Sequence, residues 1–350
     1  MASRVTIQDI ADALGLSRNT VSKALNNSEG LADATRERIL QAAIDMGYKQ
    51  FAYARDLMNA QSRLASRTAV LGDSSKREVA LITTTYLASP HFSSLMLDAF
   101  QNELIQLGFT LNTHRVTLAN LENLSLPVTL DLDRVVAIIC VEMFDWAYDT
   151  MLCDLDVPIL FVDAPARLHG KYLPADQLYM ENIPQVTELV NGMLERGYQR
   201  IGFIGDWEHC QSFYERYSAF RFAMLMANVP VNSLHCIREN HLDGIRSCLK
   251  TAGSLPDFFV CANDFVALVA LQALREMGFD VPRDVMLAGF DDSAESRRSF
   301  PALTTIHIHT QAMAYSAIEL LRMRIEEPSL DFRHVYIETD LIHRASTKRD

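Results

Sequence analysis

Residues 5–48 read VTIQDIADALGLSRNTVSKALNNSEGLADATRERILQAAIDMGY. Ile7, Ile10, Ala11 and Leu14 recur at i, i+3, i+4 and i+7, which is one apolar face of a helix. Thr6 and Asp9, three residues apart, form a capping-box-like start in which hydroxyl and carboxylate satisfy free helix N–H groups. Gly15 ends that helix and permits a tight turn. Ser17 then caps a second helix from Arg18 to about Leu25, with Val21 and Leu25 turned to the core. A third helix, from about Asp33 to Met46, closes at Gly47. Short helix, glycine turn, second helix and supporting helix predict an all-α helix-turn-helix head over residues 1–49.

In such a unit the outward residues at the start of the second helix reach base edges in the major groove. Here they are Ser17, Arg18, Asn19, Ser22 and Lys23, with Thr20 in the same turn. Arg offers a bidentate fork to guanine and Asn a bidentate amide to adenine, each worth ~1–3 kcal/mol of base discrimination. Thr6 and Asn26 are better suited to phosphates. Periodicity alone leaves a competing reading open, a small helical bundle with a solvated polar face.

Outward from the head, the chain of 350 residues fits two or three domains of ordinary globular composition, with 49% hydrophobic and 22% charged residues. No apolar run approaches the ~18–20 residues of a membrane helix, and no secretory signal is visible, so a cytoplasmic location is expected. The six cysteines are scattered, which suits reduced core thiols. Net charge is −12, yet residues 1–77 carry 11 Lys/Arg against 8 Asp/Glu, a surplus of three that leaves −15 for the rest. An acidic body behind a mildly basic head is the asymmetry expected if only the head touches phosphate.

Residues 50–77 lose periodicity and collect small and polar residues, which marks a linker. From Glu78, short apolar strands (EVALITT, FTLNT, RVVAIICV, VPILFVD, RIGFIGD, DFFVCAN, DVMLAGF) alternate with amphipathic stretches. That alternation predicts two doubly wound α/β lobes with parallel sheets over residues 78–347. Residues 115–133, with Pro127, show no clear helical face. Ligands in open α/β sheets sit beyond the carboxyl ends of strands. That rule picks out Tyr86, Ser89 and His91, Glu142 to Trp146, Asp163, Asp206 and Trp207, Asn263 and Asp264, and Asp291. Polar fans of this kind with an aromatic platform, either Trp207 or Phe290, suit a polyhydroxylated ligand.

Some of these positions have competing structural roles: Asp163 and Asp264 as caps, Trp207 as lobe packing. His91, His209 and the His307/His309 pair offer no third metal ligand, so no metal is expected. No GxGxxG after a strand, P-loop or GxSxG elbow is present, and neither enzyme chemistry nor a cofactor is expected.

The segment 5–48 closely resembles the head of the lactose-repressor (LacI/GalR) family, in VTI-DIA, the G-x-S-x-x-TVS-x-x-LN helix, TRERI and the terminal GY. The resemblance implies that Arg18 and Asn19 largely set operator choice. Lys23 stands where Arg is usual, which loses a bidentate fork. Ala32 replaces the customary capping Ser, leaving Asp33 to take over. The family continues with a hinge helix that wedges a leucine into the minor groove, and AYARDL places Ala54 and Leu57 there. Gln50 and Phe51 depart from the usual Pro-Asn, and the linker is about a dozen residues longer than usual.

Residues 78–347 look like the family's periplasmic-binding-protein-like bilobal core. GYQRIGFIGD, ERYSAF, FVCANDF, LAGFDD, PALTTI and LIHRAST follow its order. The resemblance adds Arg216 to the effector residues and supports Asn263 and Asp291. SPHF, ending at Phe92, replaces the common NPFF. What it implies is a homodimeric repressor on double-stranded, pseudo-palindromic operator DNA. Its affinity would be controlled by a small molecule, a sugar first; the alternatives are a regulator with a non-sugar effector or none, and a solute-binding protein that shares the bilobal fold without binding DNA.

Overall fold

The computed structural model describes residues 6–25, 31–32, 35–36, 38–39, 42–43, 46, 77–84, 92–168, 170 and 172–349. The chain divides into two compact units, residues 1–74 and 75–350.

In the first unit, α1 (Ile7–Leu14) opens with the reciprocal Thr6–Asp9 capping box and ends at Gly15, whose φ of 64° is left-handed. A side chain there would be strained, so glycine releases the chain into the turn. Next comes α2 (Arg18–Leu25). Residues 35–36, 38–39 and 42–43 are helical, begun by the Ala32 carbonyl, which accepts from the Thr35 and Arg36 amides. Asp33 and Gly47 lie outside the described residues. Ile10, Ala11, Val21, Ala24, Ile39 and Ala43 are buried together. Burying an aliphatic side chain of this size contributes about 1.5–3 kcal/mol, so three or four of them carry this small core.

The second unit has two lobes. The first holds a six-stranded sheet of β1 (Glu78–Thr83), β2 (Thr110–Arg115), β3 (Val135–Val141), β4 (Ile159–Val162), β5 (Asp176–Met180) and β11 (His334–Ile337). Their order is β11-β5-β4-β3-β1-β2, and every pairing is parallel. Val79 and Leu81 pack on one face under α3 (Phe92–Gln106), and Ala80 and Ile82 pack on the other. Both faces are covered, so the central strands β1, β3 and β4 read as near-continuous apolar runs rather than alternating ones. On the second face lie α4 (Leu118–Asn123) and α5 (Trp146–Cys153). The α4 helix lies within 115–133, the stretch whose sequence shows no clear helical face. Its signal is polar: Thr117 and Asn120 form a reciprocal capping box on one short turn with no buried residue.

The second lobe begins with α6 (Ile183–Glu195), β6 (Ile201–Ile204), α7 (Gln211–Met226), β7 (Cys236–Ile237) and α8 (Leu242–Ala252). It continues through β8 (Phe258–Cys261), α9 (Asp264–Glu276), β9 (Met286–Ala288) and α10 (Ala294–Arg298). Its sheet runs β7-β6-β8-β9, all parallel. An antiparallel ribbon pairs β10 (Thr305–Ile308) with β12 (Thr339–Ile342). The helix α11 (Thr310–Glu326) then returns to the first lobe, where β11 adds an edge strand to its sheet. The chain therefore passes between lobes three times, at Glu181–Asn182, at His309 and at Glu338.

Candidate functional site

In the head, the Ser17 hydroxyl accepts from the Thr20 amide at 3.1 Å and shares a 2.8 Å hydrogen bond with the Thr20 hydroxyl. Both hydroxyls are thereby spent on starting α2. Arg18, Asn19 and Lys23 are exposed, while Thr20 and Ser22 are half-buried. Thr6 is exposed, but its amide and hydroxyl both donate to Asp9, at 2.7 and 2.8 Å. These bonds hold the Asp9 carboxyl below its ordinary range. Asn26, Ala54 and Leu57, and with them the hinge helix, lie outside the described residues.

In the core, a cavity of about 140 Å³ is walled by Glu142, Phe144, Asp163 and Met180 from the first lobe. The second lobe supplies His209, Cys210, Ser212, Phe213, Arg216, Asn263 and Asp291. The polar members emerge where strands stop: Glu142 after β3, Asp163 after β4, Asn263 after β8 and Asp291 after β9. Three of them turn the chain in left-handed conformations, with φ of 55° at Glu142, 61° at Asp163 and 113° at Asp291. Non-glycine residues take these angles only where surrounding structure enforces them, and such positions cluster at functional sites.

Arg216 is the one guanidinium on this wall among the described residues, projecting from α7 and buried. Its Nε donates to Asn182 Oδ1 at 2.9 Å and its terminal nitrogen to the Ala262 carbonyl at 2.6 Å. Asp291 lies 4.0 Å away, and the Phe290 ring lies flat beneath at 3.5 Å from the guanidinium carbon. Burial lowers the Arg216 pKa, and the nearby Asp291 opposes that. Burial likewise raises the carboxyls of Asp163 and Asp291 above their ordinary value.

Asp163 reaches across the lobes. The helix α7 begins at Cys210 without a side-chain cap of its own. Instead Asp163 Oδ1 accepts from the Ser212 amide at 3.2 Å, and the Gln211 amide donates to the Ala164 carbonyl at 2.8 Å. The first turn of a second-lobe helix is thus completed by first-lobe atoms, which answers its orphan N–H groups. Phe144 and His209 meet edge to face across the same gap, centroids 4.8 Å apart.

Neither expected platform lines the cavity. Trp207 stacks on Tyr217 at 4.2 Å and packs edge-on to Phe203, so its ring serves the second lobe's own core. Phe290 is buried under Arg216, a support for the guanidinium rather than a wall. The aromatic walls are Phe144 and Phe213. Asn263 both faces the cavity and caps α9, accepting from the Val266 amide at 2.9 Å. Asp264 is turned inward, where it takes bonds from Thr305 Oγ1 and the Ser293 amide. Asp145 caps α5 and Trp146 donates to the Ala166 carbonyl. Asp206 faces Arg238 at 3.8 Å. Tyr86, Ser89 and His91 are outside the described residues, as is the side chain of Phe92, which opens α3.

Sequence reading missed Met180, Cys210, Ser212 and Phe213. The last three belong to the first turn of α7, and the DWEHCQ segment after β6 was the available signal.

Comparison with known proteins bears on both units. Residues 6–50 match the family model of bacterial regulatory proteins, lacI family, and residues 190–347 match a periplasmic binding protein-like domain. The chain is 27% identical over 354 residues to the HTH-type transcriptional regulator GalR of Lacticaseibacillus casei, covering 98% of this chain and 99% of that one. It is 27% identical over 353 residues to the HTH-type transcriptional repressor PurR of Haemophilus influenzae, covering 98% of each. Among solved structures, a transcriptional regulator CelR–cellobiose complex superposes with a TM-score of 0.66 at 23% identity, covering 98% of this chain and all of that one. A lac repressor dimer bound to operator and an anti-inducer gives 0.64 at 21%, covering 99% of both. With a lacI-type head, a periplasmic-binding-protein-like core and relatives aligned end to end, this chain belongs to the LacI family of bacterial transcriptional regulators.

Proposed function

We propose that this chain represses transcription as a homodimer on a pseudo-palindromic operator, and that a small polyhydroxylated ligand in the cleft sets its affinity for that DNA. Arg18 and Asn19 read base edges with Ser22 and Lys23, while Ser17 and Thr20 start the helix and approach the backbone; Thr6 supports the phosphate contacts. The observation that carries the regulatory half is the cavity itself, which takes walls from both lobes and so links ligand binding to their closure.

The ligand class follows from charge. Three carboxylates, Glu142, Asp163 and Asp291, face one guanidinium on the described wall. Residues 85–91, which follow β1 in the sequence, contain no Lys or Arg. A phosphate or carboxylate ligand would find one guanidinium against three carboxyl groups and little balancing charge, whereas hydroxyls pair with mixed donors and acceptors. A neutral sugar fits this best, and the cellobiose complex of a structural relative agrees with it. The polar side chains are engaged in binding geometry rather than aligned as nucleophile and base, so we read the cleft as a binding site without turnover. We infer a cytoplasmic location, because a DNA-reading role requires access to the chromosome.

Two measurements test the proposal. Operators selected from random duplexes should show two half-sites, and Arg18→Ala should relax one base per half-site at a cost of ~1–3 kcal/mol in fluorescence-anisotropy titrations. An unchanged base preference would refute the reading of α2. In a thermal-shift panel, neutral sugars should stabilise the protein and their phosphates should not. Asp291→Ala and Arg216→Ala should each abolish the shift, and a phosphate ester that binds would refute the charge argument.

A further inference from the structure

Glu215 lies one residue before Arg216 on α7 and is buried. Its carboxylate collects three hydrogen bonds: from Asn182 Nδ2 at 2.8 Å, Gln211 Nε2 at 2.9 Å and the Tyr336 hydroxyl at 2.8 Å. The donors come from three places. Tyr336 stands on β11 in the first lobe, two residues before the crossing at Glu338. Asn182 sits at the first crossing, wholly buried. Gln211 is in the first turn of α7, and its Oε1 accepts from the first-lobe Arg167 amide at 2.9 Å. Asn182, oriented by Glu215, spends its Oδ1 on Arg216 Nε at 2.9 Å. A continuous relay therefore runs from the first lobe through Tyr336, Glu215 and Asn182 to the guanidinium in the cleft.

We infer that Glu215 is a positioning residue that ties closure of the two lobes to the placement of Arg216. The inference rests on the reading of the cleft as the effector site. An ionised carboxylate accepts at both oxygens, and that is what three converging donors require. A glutamine here has one acceptor oxygen and must point an NH2 group at one of the donors. Opening the lobes withdraws the Tyr336 hydroxyl and the Arg167 amide together, leaving a buried carboxylate short of partners, which is costly. The same loss frees Asn182 to turn and lets the guanidinium drift from its seat over Phe290. By reciprocity, whatever holds Arg216 in place favours the closed lobes.

The test uses the full chain without added ligand, so its outcome is separate from whether a sugar binds. Hydrogen exchange is followed at the Gln211 and Ser212 amides, which bond across the lobes, and at Phe203 and Ile204 in β6. Tyr336→Phe removes one hydroxyl and should raise exchange at Gln211 and Ser212 about tenfold, with β6 unchanged. The double variant with Glu215→Ala should exchange no faster than Glu215→Ala alone, because the shared bond is already lost. The Arg216 Nε–H resonance should be sharp and protected in the wild type and broaden in Tyr336→Phe. Unchanged amides, an equal rise in β6, additive effects in the double variant, or an unchanged Arg216 resonance would each overturn the inference.

Discussion

Glu142, Asp163 and Asp291 hold φ angles of 55°, 61° and 113°, so the strand ends that face the cleft are also where the backbone is strained. Each such residue costs of order 1–3 kcal/mol, and packing of the lobes must sustain it. A different residue carries the clearest stability prediction. Asp149 on α5 is fully buried, and neither carboxylate oxygen meets a hydrogen-bond donor among the described residues. Burial, with the charge of Asp145 adding to it, pushes its pKa from 3.8 up to about 8. The folded chain thus keeps a proton that the unfolded chain gives up. Its contribution to stability is complete below about pH 4, shrinks by up to about 1.4 kcal/mol per pH unit as pH rises toward 8, and changes no further above that. Asp149→Asn is expected to remove this slope. Urea denaturation at pH 5 and pH 8 checks it: the wild type should lose stability between the two and the variant should lose much less.

Elements differ in how much of them the sequence disclosed. The helices α1 and α2 were legible because apolar spacing, a capping box and a glycine stop agree within twenty residues. The strand β5 was not, because DQLYM puts Asp176 and Gln177 at buried positions. Asp176 is satisfied by Arg324, 148 residues later, a compensation that no local window contains, and Gln177 by Arg167 on the preceding loop. The cleft shows the same division. Arg216, Asn263 and Asp291 were found by strand ends and by resemblance, whereas Asn182 and Glu215 gain meaning only from Tyr336 on a returning strand. Trp207 was misplaced because an aromatic after a strand looks alike whether it faces a ligand or Tyr217. At the end of β9, Gly289 packs so closely on Asp264 that a methyl group would strike both its carboxylate and its backbone. Gly289→Ala should therefore displace Asp264 from Thr305 and Ser293 and cost ~1–3 kcal/mol. A melting temperature equal to wild type would show that the turn yields without penalty.

For the whole molecule, the charge asymmetry bears on DNA binding: residues 1–77 carry a small positive surplus and the remainder a charge of −15. Phosphate contacts by a dimeric head should make operator affinity fall ~10³-fold or more between 50 and 200 mM salt if six to ten phosphates are neutralised. Anisotropy titrations at four salt concentrations would measure the slope, and a flat response would contradict phosphate contact. The three crossings carry a different consequence, one for biosynthesis. The first lobe lacks α11 and its edge strand β11 until residue 337 has been made, although β5 is complete by residue 180. At the usual 5–20 residues per second, the ribosome takes roughly ten to thirty seconds to bridge that gap. Throughout it, the nascent lobe presents an unpaired β5 edge and an apolar face awaiting its helix, an opening for chaperones and for aggregation that closes only near the end of translation.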